Sequence, residues 1–146
     1  MKEEVLRRKL MLMKQGELIK KTATLFQLRR RLECSDSNGI AECISCGRKH
    51  HYKEMDAGHL VSRRHLGTLL NSNNVNPQCR HCNKWLGGNY TEYRVRLVKK
   101  IGKDAVEWLE ENRDNLGKVW IRDLLIETYI ESKKIIKTLE SNQAKL

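Results

Sequence analysis

The sequence predicts an α+β fold that is mainly helical, with a small metal-stapled core between helical ends. Two Cys-x-x-Cys pairs, Cys43/Cys46 and Cys79/Cys82, stand in the middle of the chain, and apolar residues recur at helical spacing on both sides. Only 5% of the 146 residues are aromatic and 32% are charged, which favours helices over a large sheet. We therefore divide the chain into a basic N-terminal helical arm (1–38), a zinc-bound core (39–102) and a C-terminal helical region packed on that core (103–146).

Residues 3–33 are predicted to form one or two helices. Leucine or methionine recurs every seven residues along them, and basic side chains crowd the other faces. The repeated residues are Met11, Leu18, Leu25 and Leu32. Two interpretations stay open: a helix docked on the core with a solvated charged side, or an arm that pairs two copies or lies along a nucleic acid. Residues 35–39 are turn-forming and predict a break.

The central segment is predicted to fold around one metal ion. Residues 40–53 should form a hairpin with the first cysteine pair in its turn, because Cys-Ile-Ser-Cys-Gly supplies small residues that tolerate a tight turn. Residues 55–62 are typical of a strand and residues 63–76 of a polar loop. Residues 79–86 should form a short helix that a Gly-Gly pair ends. Strand, loop and helix around one metal make a ββα unit.

Three helices are predicted after this core. Apolar and basic residues alternate along residues 90–101, which is typical of a helix with one solvent-exposed cationic side, and Gly102 breaks that helix. Residues 104–112 should form a short helix. Residues 120–139 carry a continuous apolar stripe, which is typical of a long helix with one buried face, and its aromatic side chains are expected to pack.

Four cysteines in two matched pairs predict a closed zinc site with four thiolate ligands. The first residues begin a charged amphipathic run, and no stretch approaches ~20 apolar residues, so we expect a cytoplasmic protein without a membrane span. Thiols stay reduced in the cytosol, which favours metal binding over disulfides. Cys34 is left over and is expected to be a buried or incidental thiol.

The net charge of +11 is unevenly distributed. Residues 1–33 carry 10 basic and 4 acidic side chains and residues 34–102 carry 11 and 5, whereas residues 103–146 carry 8 and 9. An excess on the first two thirds fits a footprint on the phosphates of a nucleic acid, with salt-dependent affinity. Charge alone is equally compatible with a merely basic protein. Together with the cysteine pairs, it favours DNA as the partner.

Polar residues near the cysteines predict metal-assisted phosphodiester cleavage. His59 is the candidate general base, because an imidazole with a pKa near ~6.5 is mostly neutral in the cytosol. A closed four-thiolate zinc has no free position for water or substrate, so hydrolysis needs a second cation such as Mg²⁺, for which Asn83 offers an amide oxygen. Asn74 can hold its loop or orient the imidazole. The catalytic candidates are therefore His59, Asn74 and Asn83.

Basic side chains around these residues are candidate phosphate contacts. Arg63 and Arg64 follow the predicted catalytic strand, where their guanidinium groups could clamp the scissile phosphate, although a solvated loop is the alternative. The footprint would be extended by Arg80, Lys84, Arg94 and Arg96. Glu92 is either a carboxylate in the outer shell of the metal or a surface residue.

These residues resemble the His-Me finger nucleases, also called HNH or ββα-metal nucleases. The resemblance rests on Asp56-Ala-Gly-His59, on Asn74-Val-Asn-Pro-Gln, and on Asn83 nine positions after Asn74. The cysteine pairs match the zinc-containing, treble-clef branch of that superfamily. More narrowly, the cysteine segments and Gly88-Asn-Tyr-Thr-Glu-Tyr-Arg-Val are similar to phage recombination proteins of the NinG/Rap kind, over about residues 41–144.

The resemblance implies a metal-dependent DNA endonuclease that cuts branched recombination intermediates, such as Holliday junctions and D-loops, in the cytosol of a bacterial host. It implies that His59 is the general base, Asn83 a ligand of catalytic Mg²⁺ or Mn²⁺, and Asn74 the orienting amide. We also expect a homodimer, and a host or phage recombinase is a possible partner.

The sequence departs from this pattern in two ways. Many HNH enzymes have an aspartate immediately before the histidine, whereas Gly58 stands here and Asp56 is the tentative second metal ligand. Many relatives have histidine where Asn76 and Asn83 stand, which affects metal preference. The alternatives are a non-catalytic zinc-containing DNA-binding accessory protein, a less structure-selective HNH nuclease, and a treble-clef module that binds proteins. His59 discriminates, because a binding protein has no use for a base.

Overall fold

The computed structural model describes residues 1–143 and is mainly helical, as predicted, with two small antiparallel sheets. The helices are α1 (Lys2–Met11), α2 (Gln15–Glu33), α3 (Tyr90–Ile101), α4 (Lys103–Glu111), α5 (Gly117–Trp120) and α6 (Arg122–Ser141). The strands are β1 (Ile40–Glu42), β2 (Lys49–His51), β3 (Met55–His59) and β4 (Val75–Cys79). The end of the predicted C-terminal region, residues 144–146, lies outside the described residues.

Helices α2 and α6 pack against each other and supply most of the larger core. Leu18 and Phe26 on α2 and Leu125 on α6 are almost wholly buried, and each such side chain contributes about 1.5–3 kcal/mol through removal of apolar surface from water. The heptad stripe of α2 is thus used inside the chain, which agrees with the docked-helix interpretation. Met11, its predicted first member, is 49% exposed and lies outside this packing.

The two sheets are hairpin-like pairs. Strands β1 and β2 pair with Ile40 opposite His51, and the first cysteine pair lies in their turn as predicted. Strands β3 and β4 pair antiparallel, with Met55 opposite Cys79 and His59 opposite Val75.

Strand β4 corrects the sequence prediction, which placed residues 75–76 in a polar loop. All five β4 residues are buried. The strand was hidden because Pro77 argues against a central strand and because the polar residues Asn76 and Gln78, which predict an exposed segment, are buried here. Both amides are satisfied: Asn76 Nδ2 donates to Tyr93 Oη at 3.1 Å, and Gln78 Nε2 donates to Ser45 Oγ at 2.8 Å.

Helices α3 and α4 form a second core with the chain that follows β3. Tyr93, Leu97, Val106 and Leu109 are buried there against Leu60 and Val61. The bounds of α3 match the prediction. The expectation that aromatic residues of the last helix pack is confirmed for Tyr129 but wrong for Trp120, which lies before α6 and is 54% exposed.

Each long helix has a polar side as well as an apolar one. Across the described part of the chain, no helix has both the length and the apolar character required to cross a membrane.

Candidate functional site

The four cysteines of the two Cys-x-x-Cys pairs meet at one point. The four sulfur atoms all lie within 4.8 Å of one another, and they belong to Cys43, Cys46, Cys79 and Cys82. The Sγ atoms of Cys46 and Cys79 are 3.8 Å apart. Zn–S bonds of ~2.3 Å at tetrahedral angles require sulfurs about 3.8 Å apart, so the cluster fits a zinc ion.

Local backbone geometry brings these sulfurs together. Gly47 adopts a φ of +77°, which allows the first cysteine pair to turn between β1 and β2. In the second pair the Cys82 N–H donates to Cys79 Sγ at 3.4 Å, and Asn89 Nδ2 donates to Cys82 Sγ at 3.4 Å. Burial raises the pKa of the Cys82 thiol to about 12, and a bound metal cation would stabilise its thiolate form.

A cleft of about 580 Å³ opens beside this cysteine cluster. Its walls come from α2, from β3 and the residues that follow it, and from the turn after β4. The cleft brings together several predicted site residues: Asp56, His59, Arg63, Asn83 and Lys84.

The His59 imidazole is largely buried at the end of β3. Burial and, to a smaller extent, the Arg63 guanidinium lower its pKa to about 4, and a hydrogen bond with the Ala57 backbone acts in the opposite direction. The ring is therefore neutral at pH 7, as a proton acceptor must be. Its Nε2 is buried and has no hydrogen-bond partner within residues 1–143. Such a nitrogen is expected to meet a water or a ligand atom, because buried polar atoms are nearly always paired.

Asp56 and Asn83 lie side by side in the cleft. Asn83 Nδ2 donates to Asp56 Oδ2 at 3.0 Å, and Arg80 Nε lies 3.9 Å from Asp56 Oδ1. Asp56 is on β3, and Asn83 follows Cys82 in a short π-helical turn, His81–Trp85, so the cysteine cluster fixes both positions. Carboxylate and amide oxygens are ligands that Mg²⁺ accepts, and the two side chains could hold a divalent cation if the Asn83 amide turned its Oδ1, in place of its Nδ2, towards Asp56.

Asn74 lies behind the cleft instead of in it. Its side chain is wholly buried, its Oδ1 accepts from the Val61 N–H at 2.8 Å, and its Nδ2 donates to the Val61 and Thr68 carbonyls at 3.0 and 3.2 Å. None of its hydrogen bonds in the described chain reaches the imidazole. Of the two roles considered for Asn74, these contacts match the one that holds the loop after His59.

The predicted phosphate contacts divide into two groups. Arg63 and Lys84 line the cleft, and Arg64 lines an adjoining groove together with Lys20. These side chains form a continuous basic path, because Arg63 belongs to both the cleft and the groove.

Arg94 and Arg96 are engaged elsewhere. Arg94 Nη2 lies 2.8 Å from Glu110 Oε1, and Arg96 Nη2 lies 2.7 Å from Glu42 Oε1. Glu92 is exposed on α3 and is not among the residues that line the cleft.

Helix α2 contributes Gln27 and Arg31 to the cleft, and the sequence analysis did not identify either. Arg31 Nη1 donates to the Met55 carbonyl at 3.1 Å, and burial lowers the pKa of Arg31. Helical periodicity placed Arg31 among the basic residues on the faces away from the heptad stripe. The contact of α2 with β3 brings it to the site, and the sequence pattern carries no sign of that long-range contact.

The family model described as Bacteriophage Lambda NinG protein matches residues 1–142. The ninG protein of Escherichia phage lambda is 38% identical over 73 residues, which cover 49% of this chain and 35% of that protein. The ninG protein of Escherichia phage 933W is 37% identical over 73 residues, 49% of this chain and 36% of that protein.

The ninG protein of Salmonella phage P22 is 37% identical over 71 residues, which cover 48% of this chain and 34% of that protein. The chain thus spans about a third of the length of the curated relatives that it matches. No solved structure matches it. Since the family model covers residues 1–142, this chain belongs to the NinG family of bacteriophage proteins.

Proposed function

We propose that this chain is a metal-dependent DNA endonuclease that hydrolyses phosphodiester bonds in the cleft beside the cysteine cluster. One observation carries the proposal: a neutral imidazole (His59), a carboxylate–amide pair (Asp56 and Asn83) and exposed cations (Arg63 and Lys84) line the same cleft. Hydrolysis of a phosphodiester needs a base, ligands for a cation, and groups that hold the polyanion.

Each residue has a defined role in this proposal. His59 accepts the proton of the attacking water, and Arg63 and Lys84 bind phosphate oxygens. Asp56 and Asn83 would hold Mg²⁺ or Mn²⁺, which supplies positive charge to the phosphate and the leaving oxygen. The cysteine-bound zinc would be structural, because a closed tetrahedral site offers no position to a substrate.

The order of elements supports an HNH-like core. Strands β3 and β4 and the π-helical turn follow the ββα order, and the cysteine pairs lie next to both sheets. Gly58, at the position where many HNH enzymes have aspartate, is packed against Gln78, and a β-carbon there would collide with that side chain. The carboxylate therefore comes from Asp56, two residues earlier on the same strand.

We extend the proposal to branched recombination intermediates, to a homodimer and to a host or phage recombinase as partner. These three points rest on the resemblance to phage recombination proteins. The basic groove of Lys20 and Arg64 that adjoins the cleft supports a polyanionic substrate longer than one nucleotide.

A DNA-binding accessory protein without cleavage activity is the second candidate. The basic path and the cysteine cluster suit that role equally well. The accessory role gives no function to Nε2 of His59, which is buried and has no hydrogen-bond partner within residues 1–143. We therefore favour the nuclease.

The first prediction tests catalysis directly. Synthetic four-way junction, fork and linear duplex are incubated with Mg²⁺ or Mn²⁺ and the wild type, His59→Ala or His50→Ala. His50 lies on β2, outside the cleft, and is the matched control. His59→Ala is expected to lower the cleavage rate by about 10²–10⁴-fold with DNA binding retained, because a general base contributes that much. Equal nicking by the wild type and His59→Ala would reject the proposal.

A further inference from the structure

We propose that Trp85 stacks on an unpaired nucleobase at the rim of the cleft, and that this contact selects DNA with unpaired nucleotides over continuous duplex. The inference rests on the proposed function to the extent that DNA occupies the cleft. It adds a residue and a basis for substrate choice that the proposed cleavage chemistry does not require.

Trp85 is unusually exposed. Its relative exposure is 81%, compared with 48% for Trp108 and 54% for Trp120. Tryptophan is highly buried on average in folded proteins, and exposed apolar side chains in a cluster mark interaction sites. Leu86 and Tyr90, which follow it closely in the sequence, are each 50% exposed.

The turn that carries Trp85 is firmly held. The Leu86 N–H donates to the His81 carbonyl at 3.0 Å, and the Gly88 N–H donates to the Cys82 carbonyl at 2.9 Å. Gln78 Nε2 donates to the Gly88 carbonyl at 2.6 Å, which ties the turn to β4. Because the turn is already ordered, little backbone entropy is lost when Trp85 binds a ligand. The exposed indole is therefore a preformed contact site.

The position of Trp85 relates it to the cleft. Lys84, which precedes Trp85 in the sequence, lines the cleft, and so do Gly87 and Gly88, which follow it. A β-carbon added at either glycine would meet no atom within 4 Å, so open space lies beside the turn. A phosphate bound at Lys84 would bring its own base, or the next one, within reach of the indole.

The chemistry around Trp85 favours nucleic acid over a second copy of this chain. Exposed Arg80 and Lys84 precede Trp85 in the sequence, and a second copy would bring the same positive charges against them. Aromatic side chains beside cations that track a phosphate backbone are typical of sites for single-stranded nucleic acid. Bases in a continuous duplex are paired and stacked, whereas branch points and flaps expose base faces.

The test is binding without Mg²⁺ or Mn²⁺, so that cleavage does not interfere. Oligo-dT, a flap with unpaired nucleotides and a continuous duplex are titrated with the wild type, Trp85→Ala, Trp85→Phe and Trp120→Ala as the exposed-tryptophan control. Trp85→Ala should bind the unpaired ligands about tenfold more weakly and change duplex affinity by less than about twofold. Trp85→Phe should keep most of the affinity, and Trp120→Ala all of it. Equal weakening for all ligands, or none, would overturn the proposal.

A second readout comes from fluorescence. Of the three tryptophans, the double variant Trp108→Phe/Trp120→Phe leaves Trp85 alone. Saturating oligo-dT should quench its emission, since stacking brings a base onto the indole, and unchanged emission would overturn the proposal. A Trp85→Ala variant that alters sedimentation but not DNA binding would assign the surface to protein contact instead. Failure of the nuclease proposal would be seen separately, as wild type that discriminates between ligands but does not nick them.

Discussion

Burial and a neighbouring cation together set the protonation state of His59. The ring lies at the end of β3 with Nε2 covered, and Arg63 adds positive charge nearby. Both effects disfavour the imidazolium, so the residue is a base throughout the neutral range. The same effects cost stability in acid, because the unfolded chain protonates this histidine more readily than the folded chain does.

The second prediction follows from that difference in pKa. In the folded state the pKa of His59 is about 4, against 6.5 for an unperturbed histidine. Between these two pH values His59 is protonated in the unfolded state and neutral in the folded state. The contribution of His59 to the free energy of unfolding is therefore fully present above pH 6.5 and is lost as the pH falls towards 4. Between pH 7 and 4.5 the free energy of unfolding of the wild type should fall on the order of 2 kcal/mol more than that of His59→Gln. Urea titrations without added Mg²⁺ measure this, and parallel pH curves would contradict it.

The third prediction concerns Asn74, which acts through the backbone. Asn74→Ala leaves buried groups of Val61 and Thr68 without partners and should lower the free energy of unfolding by about 2–4 kcal/mol. Cleavage should decline as well, because the loop after His59 loosens. Asn73→Ala is the control: its side chain is exposed, and we expect a change within about 0.5 kcal/mol. Similar denaturation curves for the two variants would remove the structural role assigned to Asn74.

The spacing of Asp56, His59 and Asn83, together with the resemblance to HNH nucleases, was sufficient to select three residues that line one cleft. It was not sufficient for Arg31, whose place in the cleft depends on how α2 crosses β3. Nor did it reveal that Arg94 and Arg96 face Glu110 and Glu42. Ion pairs between distant segments leave no local pattern in a sequence.

At the scale of elements, the cysteine cluster joins parts that have little apolar surface of their own. The core around it is small: it contains Ala41 and Met55 besides the cysteines. Strands β1 and β2 are three residues long each, too short for independent stability. A metal ion held by the four cysteines would therefore take the place of a larger core in this part of the chain.

The fourth prediction is that Cys79→Ser unfolds the segment between the two cysteine pairs. Removing one ligand weakens zinc binding, and zinc binding is coupled to folding, so the loss should exceed about 3 kcal/mol. Cys34→Ser is the matched control, because Cys34 is half-buried and lies outside the cluster. Zinc content and thermal melting report both effects. A normal melting profile for the zinc-free wild type would show that the cluster is not needed for folding.

For the molecule as a whole, the N-terminal helices belong to both the core and the cleft. Helix α2 packs on α6 with Leu18 and Phe26 and supplies Arg31 to the cleft. A truncation that removes residues 1–33 would therefore expose the core, and it cannot be used to test dimer formation. Sedimentation of the full chain over a range of concentrations addresses the proposed homodimer without that complication.

The distribution of positive charge decides how DNA binding should respond to salt. Cations that line the cleft, such as Arg63 and Lys84, can displace counterions from the phosphates of bound DNA. Arg94 and Arg96, by contrast, are already paired with carboxylates. Each phosphate contact adds about 0.9 to the slope of log affinity against log salt concentration. The charge of a residue therefore contributes to that slope only if DNA reaches it.

The fifth prediction separates the two groups of cations by this slope. Arg63→Gln and Lys84→Gln should each lower its magnitude by about 1, because each removes one phosphate contact. Arg94→Gln and Arg96→Gln should leave it nearly unchanged, although Arg94→Gln also frees the carboxylate of Glu110 and should weaken binding slightly at low salt. Filter binding of a four-way junction at several salt concentrations, without Mg²⁺, measures all four slopes. If the α3 variants changed the slope as much as the cleft variants, the DNA would have to cross α3 and break both ion pairs, and the cleft would not be the centre of the binding surface.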